Sequence, residues 1–296
     1  MRNFMIAMAM VGVTGFASAG SAEPPPCGTT VNAGETLVLD GELDACTGVG
    51  LIVNSGAKID MAAHQINCTG SGTIGLQLLG SGIKVYNGQI RGCDIGVSLE
   101  GEGGHSLTHL YIRDASDTAV HILSSGNKIS SNVIVGRPYD DLTPTNDLLV
   151  AEAGANKNTI KGNLFVDTGG DSIDLRSNGN KVSGNFSVNA YDSAIDENDD
   201  EANKNSIKKN VAFRSGWSGV ELGGYASKAT GNFVVGSGEY GIDIESSTSA
   251  LASGQSVSKN VVMSSGNFDM SDANTMCVPD VWKKNVFITR DQTCIQ

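Results

Sequence analysis

The chain has 296 residues, 38 of them glycine and only 5% aromatic, with 32 acidic against 20 basic residues and a formal net charge of −12. That balance argues against nucleic acid and anionic membranes as partners of the molecule as a whole, since both repel an acidic protein. No stretch after the first residues is apolar for long enough to span a bilayer.

Met1 to Ala22 reads as a secretory signal peptide. Arg2 supplies the basic start, Phe4 to Val13 the apolar core, and Ala17-Ser18-Ala19 or Gly20-Ser21-Ala22 a small-residue cleavage site. A secreted or periplasmic bacterial protein is therefore expected. Residues 23–50, opening on Pro24-Pro25-Pro26, read as a leader and N-terminal cap, and residues 276–296 as a C-terminal coil and cap. The six cysteines are an even set in an exported chain, which implies three disulfides. Of the fifteen pairings six cysteines allow, the spacing favours Cys27–Cys46 and Cys277–Cys294 as staples of the caps. Cys68–Cys93 are 25 residues apart, the length of one repeat. No C-x-x-C pair supports a zinc site.

Residues 51–275 form the repeat region. Leu51-Ile52-Val53, Ile74 to Leu78, Ile95 to Leu99 and Ala119 to Ile122 read as short strands. From Asn127 onward a phrase N-x-I/V-x-x-N recurs, followed by a short apolar strand, a glycine-rich turn and an x-I-D-x strand. Its closing asparagines are Asn132, Asn163, Asn185, Asn210, Asn232, Asn260 and Asn285, at steps of 22 to 31 residues. Coils this short hold no crossover helix, so each strand pairs with the coils above and below and the apolar face is buried by stacking. The recurrent asparagine reads as an inward ladder, each amide bonding its equivalent about 4.8 Å away along the axis. The longest insertion, Arg137 to Asp147, accounts for the 31-residue step. The fold expected is all-β: one parallel β-solenoid of about ten coils, capped at both ends, and a monomer.

The blocks Asn127-Lys128-Ile129-Ser130-Ser131-Asn132, Asn156 to Asn163, Asn180 to Asn185 and Asn205 to Asn210, with Gly241-Ile242-Asp243-Ile244, carry a resemblance. Over Leu51 to Asn285 the chain resembles the right-handed parallel β-helix repeat family, which includes pectate-lyase-like enzymes and NosD-type periplasmic proteins. The resemblance implies a right-handed helix whose outward face commonly carries a saccharide groove. It leaves the chemistry open, because the family hosts lyases, hydrolases, epimerases, adhesins and scaffolds.

The residue after the inward Ile or Val of the companion strand is Ser98, His121, Asp174, Asp196, Glu221 and Asp243 in successive copies, with the copy at Leu148 to Ala151 ambiguous. Neighbours of inward residues point outward. A stripe of four carboxylates is expected on the exterior, with His121 further along it. Arg176, Asn198 and Glu245 should stand beside it, with Asp171, Asp192 and Glu239 at the preceding turn. Glu197, Asp199 and Asp200 read as an acidic loop beside Asp196. Like charges this close must protonate, share a cation or pair with Arg176, an arrangement suited to acid–base chemistry or to Ca²⁺ held by Asp174 and Asp196. Trp217 and Tyr240, at the turns before Glu221 and Asp243, are candidates to stack on sugar. An acidic polysaccharide would need a basic patch, and none stands out along the sequence. In mannuronan epimerases the Asp196 position falls within D-P-H-E/D. Here Glu197-Asn198 follows, and no G-H-G or R-I-K of the polygalacturonase kind appears.

The catalytic set read from sequence is thus Asp174, Asp196, Glu221, Asp243, Arg176 and His121. The functional expectation is an exported protein that binds or acts on a polysaccharide along the stripe, as a lyase, glycoside hydrolase or epimerase if an enzyme. The rival readings are a non-catalytic surface scaffold, with the acids only solvating the stack, and a NosD-type accessory protein.

Overall fold

The computed structural model describes residues 23–137, 146–197, 202–245 and 254–296. The signal segment, Asn198, Asp199, Asp200 and most of the insertion after Arg137 lie outside these. The described chain is a parallel β-solenoid of about ten coils with three strand-bearing faces. On the first face Thr29–Val31, Val49–Val53, Ile74–Leu78, Ile95–Leu99, Thr118–Ile122, Leu149–Ala151 and Asp174–Leu175 pair in chain order. A single bridge from Asp174 to Asp196 continues that face toward Val220–Leu222, Tyr240–Ile244 and Phe268–Asp272. The second face runs from Thr36–Val38 to Val281–Lys283, and the third from Leu43–Cys46 to Val261–Met263. Lys84–Arg91 and Ser106–Arg113 pass unbroken through both.

Inward positions repeat down the axis because parallel pairing in register puts like on like. On the second face Ile59, Val85, Leu107, Ile129, Ile160, Val182, Ile207, Ala229, Val257 and Trp282 stack as one buried column. The asparagine ladder stands beside it. From Asn132 to Asn285 each Nδ2 donates to the Oδ1 of the next coil's asparagine at 3.0–3.1 Å. Each also donates back to a main-chain carbonyl, as Asn185 does to Ile160. Oδ1 of Asn185 accepts from both N and Nδ2 of Asn163, so no bonding capacity of the buried amide is left over.

A second ladder was not read from the sequence. The opening residue of each block takes the same role through Asn127, Asn158, Asn180, Asn205, Ser227, Gln255 and Asp280, linked main-chain N to side chain at 2.6–2.9 Å. His105 begins it. Its Nδ1 accepts from Ile83 N and its Nε2 lies 2.8 Å from the Glu100 carbonyl, while burial holds its pKa down. It is a structural, neutral imidazole.

The disulfides are Cys27–Cys46, Cys68–Cys93 and Cys277–Cys294. The expected apolar–polar alternation fails on the outside of the third face. There Val133, Leu164, Phe186, Val211, Phe233 and Val261 line up coil by coil, with Phe186 and Phe233 exposed.

Candidate functional site

On the first face Ile173, Ile195, Val220 and Ile242 are buried inward, and their successors fall in one row. Asp174 bridges to Asp196, Glu221 N bonds the carbonyl of Ile195, and Glu221 pairs with Asp243. His121 is not contiguous with the acids, because Val150 stands between it and Asp174. Glu152, two residues beyond Val150, restores the connection. It lies 3.0 Å from His121 Nε2 and 3.4 Å from Arg176 Nη1. Glu152 was missed in the sequence because its copy of the phrase carries Val where the others carry a polar residue.

The row is not on the exterior, as the alternation implied. Asp174 is fully buried, Glu221 and Asp243 nearly so, and only Asp196 is half-open. The second outward row and the corner cover it. Arg176 lies over Asp174, with Nη2 2.6 Å and Nε 2.7 Å from Oδ2. At the corner Asp171 N bonds Asp147 Oδ1 and Ser193 N bonds Asp171 Oδ1, both at 2.7 Å. Ser193 Oγ reaches Glu221 at 3.1 Å. Glu197 is no loop residue either. It is fully buried inside the coil, where Asn205 Nδ2 (2.6 Å) and the Ser227 hydroxyl bond Oε1.

Burial dominates the electrostatics. It pushes Asp174 up to about 6 against the pull of Arg176, and Asp243 up to about 6 against the Ser271 hydroxyl. Glu221 is pushed up to about 9, first by burial and then by a hydrogen bond with Glu245. Asp171 and Asp196 rise well above the usual carboxylate range through burial and, respectively, the charges of Asp147 and Glu221. With Glu221 pushed up to about 9 and Asp174 and Asp243 only to about 6, the row holds acids in both states at neutral pH.

One oxygen each of Asp147, Asp171 and Asp174 lies within 4.8 Å of the others, a grouping suited to a hard cation. The expected pair of Asp174 with Asp196 is not the grouping that forms. Asp174 Oδ1 is buried and has no hydrogen-bond partner among the described residues. Arg176 Nη2, 3.8 Å from Asp147, brings a fixed positive charge to the same place.

Beside the row, at the corner between the third and first faces, Tyr191, Asp192, Arg214, Trp217, Gly216 and Gly238 line a groove of ≈ 600 Å³. Trp217 and Tyr191 are exposed. A Cβ on Gly216 would sit 2.0 Å from the Tyr191 carbonyl, so only glycine lets these coils approach. Tyr191 was missed although it occupies the same corner as Trp217, one coil earlier. Tyr240 does not line the groove; it is half-buried in register with Phe268. Glu239 N bonds the Trp217 carbonyl, which keeps Glu239 at the corner as expected. A depression of ≈ 690 Å³ near Asp60, His109 and Tyr111 lies outside the acidic row.

Residues 95–262, more than half of the chain, match the family described as right handed beta helix region. The chain belongs to the right-handed β-helix family. No curated protein matches it. Among solved structures, this β-helix resembles the catalytic unit of a thermostable α-1,3-glucanase from Streptomyces thermodiastaticus, at 18% identity and TM-score 0.59, over 86% of this chain and 52% of that one. It resembles the tailspike of E. coli bacteriophage HK620, solved with a pentasaccharide, at 12% identity and TM-score 0.61, over 83% and 53%. It also resembles the A-module of a mannuronan C-5 epimerase from Azotobacter vinelandii, at 12% identity and TM-score 0.60, over 86% and 88%. The chain spans about half the length of the glucanase unit and the tailspike. At these identities the likeness is one of fold.

Proposed function

We propose that this β-helix is an exported carbohydrate-active protein that holds a saccharide along the first face, over the Asp174–Asp243 row and into the Trp217 groove. The observation that carries the reading is the step along the row from Asp196, its one half-buried acid, to the neighbouring Glu221, which is nearly closed off and bonded by the Ser193 hydroxyl. Asp196 contacts the sugar. Glu221 and Ser193 act behind it as positioning residues, and Arg176 keeps Asp174 in place. Trp217 and Tyr191 offer apolar ring faces on which a pyranose stacks. Such an acid set suits proton transfer at a glycosidic oxygen or at a carbon beside a carboxyl, the steps of a hydrolase, lyase or epimerase. Neighbouring folds that act on or bind glycans support the substrate class, and three disulfides support export.

If a cation takes part, Asp147, Asp171 and Asp174 hold it, and added Ca²⁺ raises the melting temperature of the wild type but not of Asp171→Asn. The test of the main reading is a glycan array followed by assays for new reducing ends and unsaturated products. Retention of a glycan, with product formation abolished in Asp196→Asn, supports it; an array with no retained glycan refutes it. A second reading, a non-catalytic scaffold, is favoured by the burial of Asp174, Glu221 and Asp243, which leaves little of these acids open to a ligand. Retention of a glycan without any product is its signature.

A further inference from the structure

Every lysine of this acidic chain lies on the second face or on the two corners that bound it. The outward positions of that face form two rows. Following the pairing, the first carries Lys128, Thr159, Lys181, Ser206, Lys228 and Ser256. The second carries Ser130, Lys161, Ser183, Lys208, Thr230, Ser258 and Lys283. Lysine therefore alternates between the rows, one per coil, over five successive coils from Lys128 to Lys228. Lys283 extends the second row to the last coil, and Lys209, Lys259 and Lys284 flank it at the corner. Lys58 and Lys84 begin the first row at the other end. All of these side chains are exposed. Among the described residues no lysine is ion-paired with a carboxylate, and no strand of this face from Ser106 onward contains an acid.

A surface made only for solubility intersperses both signs of charge. Here the acids crowd the first face and the lysines the second. The absence of a basic patch in the linear sequence is thus corrected by the coil period, which gathers lysines 20 to 33 residues apart into one strip.

We propose that the second face binds a linear acidic polysaccharide laid along the solenoid axis. The strip is two side chains wide, straight, and roughly 20 Å long over the five coils from Lys128 to Lys228, at about 4.8 Å per coil. It presents one ammonium per coil, a repeat of the same order as one sugar ring in an extended chain. A polymer with one carboxylate or sulfate per ring meets a cation at each step, whichever strand direction it takes. Lysine, a mobile point charge, suits such regular but geometrically loose contacts better than the forked recognition arginine provides. From Ser106 onward the two rows contain no aromatic side chain for bases to stack on, which disfavours single-stranded nucleic acid. The charge is confined to one strip of a molecule at −12, which disfavours a broad anionic membrane. This surface is separate from the acidic row, and the proposal stands whether or not that row binds sugar.

The test is titration of the mature protein with a polyuronate oligosaccharide, with a neutral glucan, single-stranded DNA and phosphatidylglycerol vesicles in parallel. The variant replaces Lys161, Lys181, Lys208 and Lys228 with Ser, the residue that intervening coils already carry in these rows. The wild type binds the polyuronate with an affinity that falls as salt rises, and the variant loses at least about tenfold with a shallower salt dependence. Glu102→Gln leaves this binding unchanged, and the quadruple variant keeps the wild-type circular dichroism. No polyuronate binding by the wild type, equal binding by the quadruple variant, or tighter binding of DNA or vesicles than of polyuronate overturns the proposal.

Discussion

Arg176 lies across Asp174, with Nη2 and Nε both on the single oxygen Oδ2 and Oδ1 left buried without a hydrogen-bond partner among the described residues. The carboxylate is tolerated in the interior only because this guanidinium covers it. Arg176→Gln then costs about 2 kcal/mol at pH 8, a figure reduced because the arginine is partly exposed. At pH 5 the cost nearly vanishes, since Asp174, already pushed up to about 6, is protonated there. Urea unfolding of the variant at the two pH values checks this; equal costs contradict it.

The buried acids also set the pH dependence of the fold. Glu197 is pushed up to about 8 by burial, and Glu221 to about 9. A carboxyl whose folded pKa is raised binds its proton more tightly in the native state. Its stabilisation is full below the unfolded value near 4.5 and is lost as pH rises through the folded value. Melting temperature therefore falls between about pH 5 and pH 8–9. Glu197→Gln flattens that decline, because a neutral amide replaces a group that must otherwise ionise among Asn205 and Ser227.

The asparagine ladder makes a graded prediction. Asn185 is buried with every donor and acceptor satisfied, whereas Asn285 ends the ladder half-exposed. Replacement of Asn185 by Ala strands carbonyl and amide groups above and below and costs about 2–4 kcal/mol, while Asn285→Ala costs about 1. Denaturant melts of the two variants measure the difference.

The fold was legible because solenoid stacking turns one local rule into a period. The closing asparagines, the inward Ile and Val, and the row from Asp174 to Asp243 all follow from spacing alone. What lay outside the sequence was depth. Two-residue alternation places Asp174 and Glu221 outside and Arg176 beside them, but it is silent on how Arg176 folds back over Asp174 and on the bonds that Asp147 and Ser193 bring to the Asp171 corner from the neighbouring coils. The same limit hid the lysine strip, whose members are neighbours only after the chain has coiled. Glu197 failed for a different reason. The acidic run Glu197-Asn198-Asp199-Asp200 looks like a solvated turn, yet its first residue is turned inward by Asn205 and Ser227.

The cysteine pairing carries its own check. Mass mapping of the purified protein without reductant is expected to return the Cys27–Cys46, Cys68–Cys93 and Cys277–Cys294 peptides and no alkylated thiol. Replacing Cys68 and Cys93 together with Ala costs about 3–4 kcal/mol in the loop-entropy view, because it frees a 25-residue loop next to the first coils.

The central claim is that a saccharide lies on the first face and touches Asp196. Calorimetric titration of the array-selected glycan into the wild type, Asp196→Asn and the distant control Glu102→Gln tests it most directly. The account predicts that Asp196→Asn weakens binding at least about tenfold while Glu102→Gln matches the wild type. Equal affinity for all three proteins would contradict it.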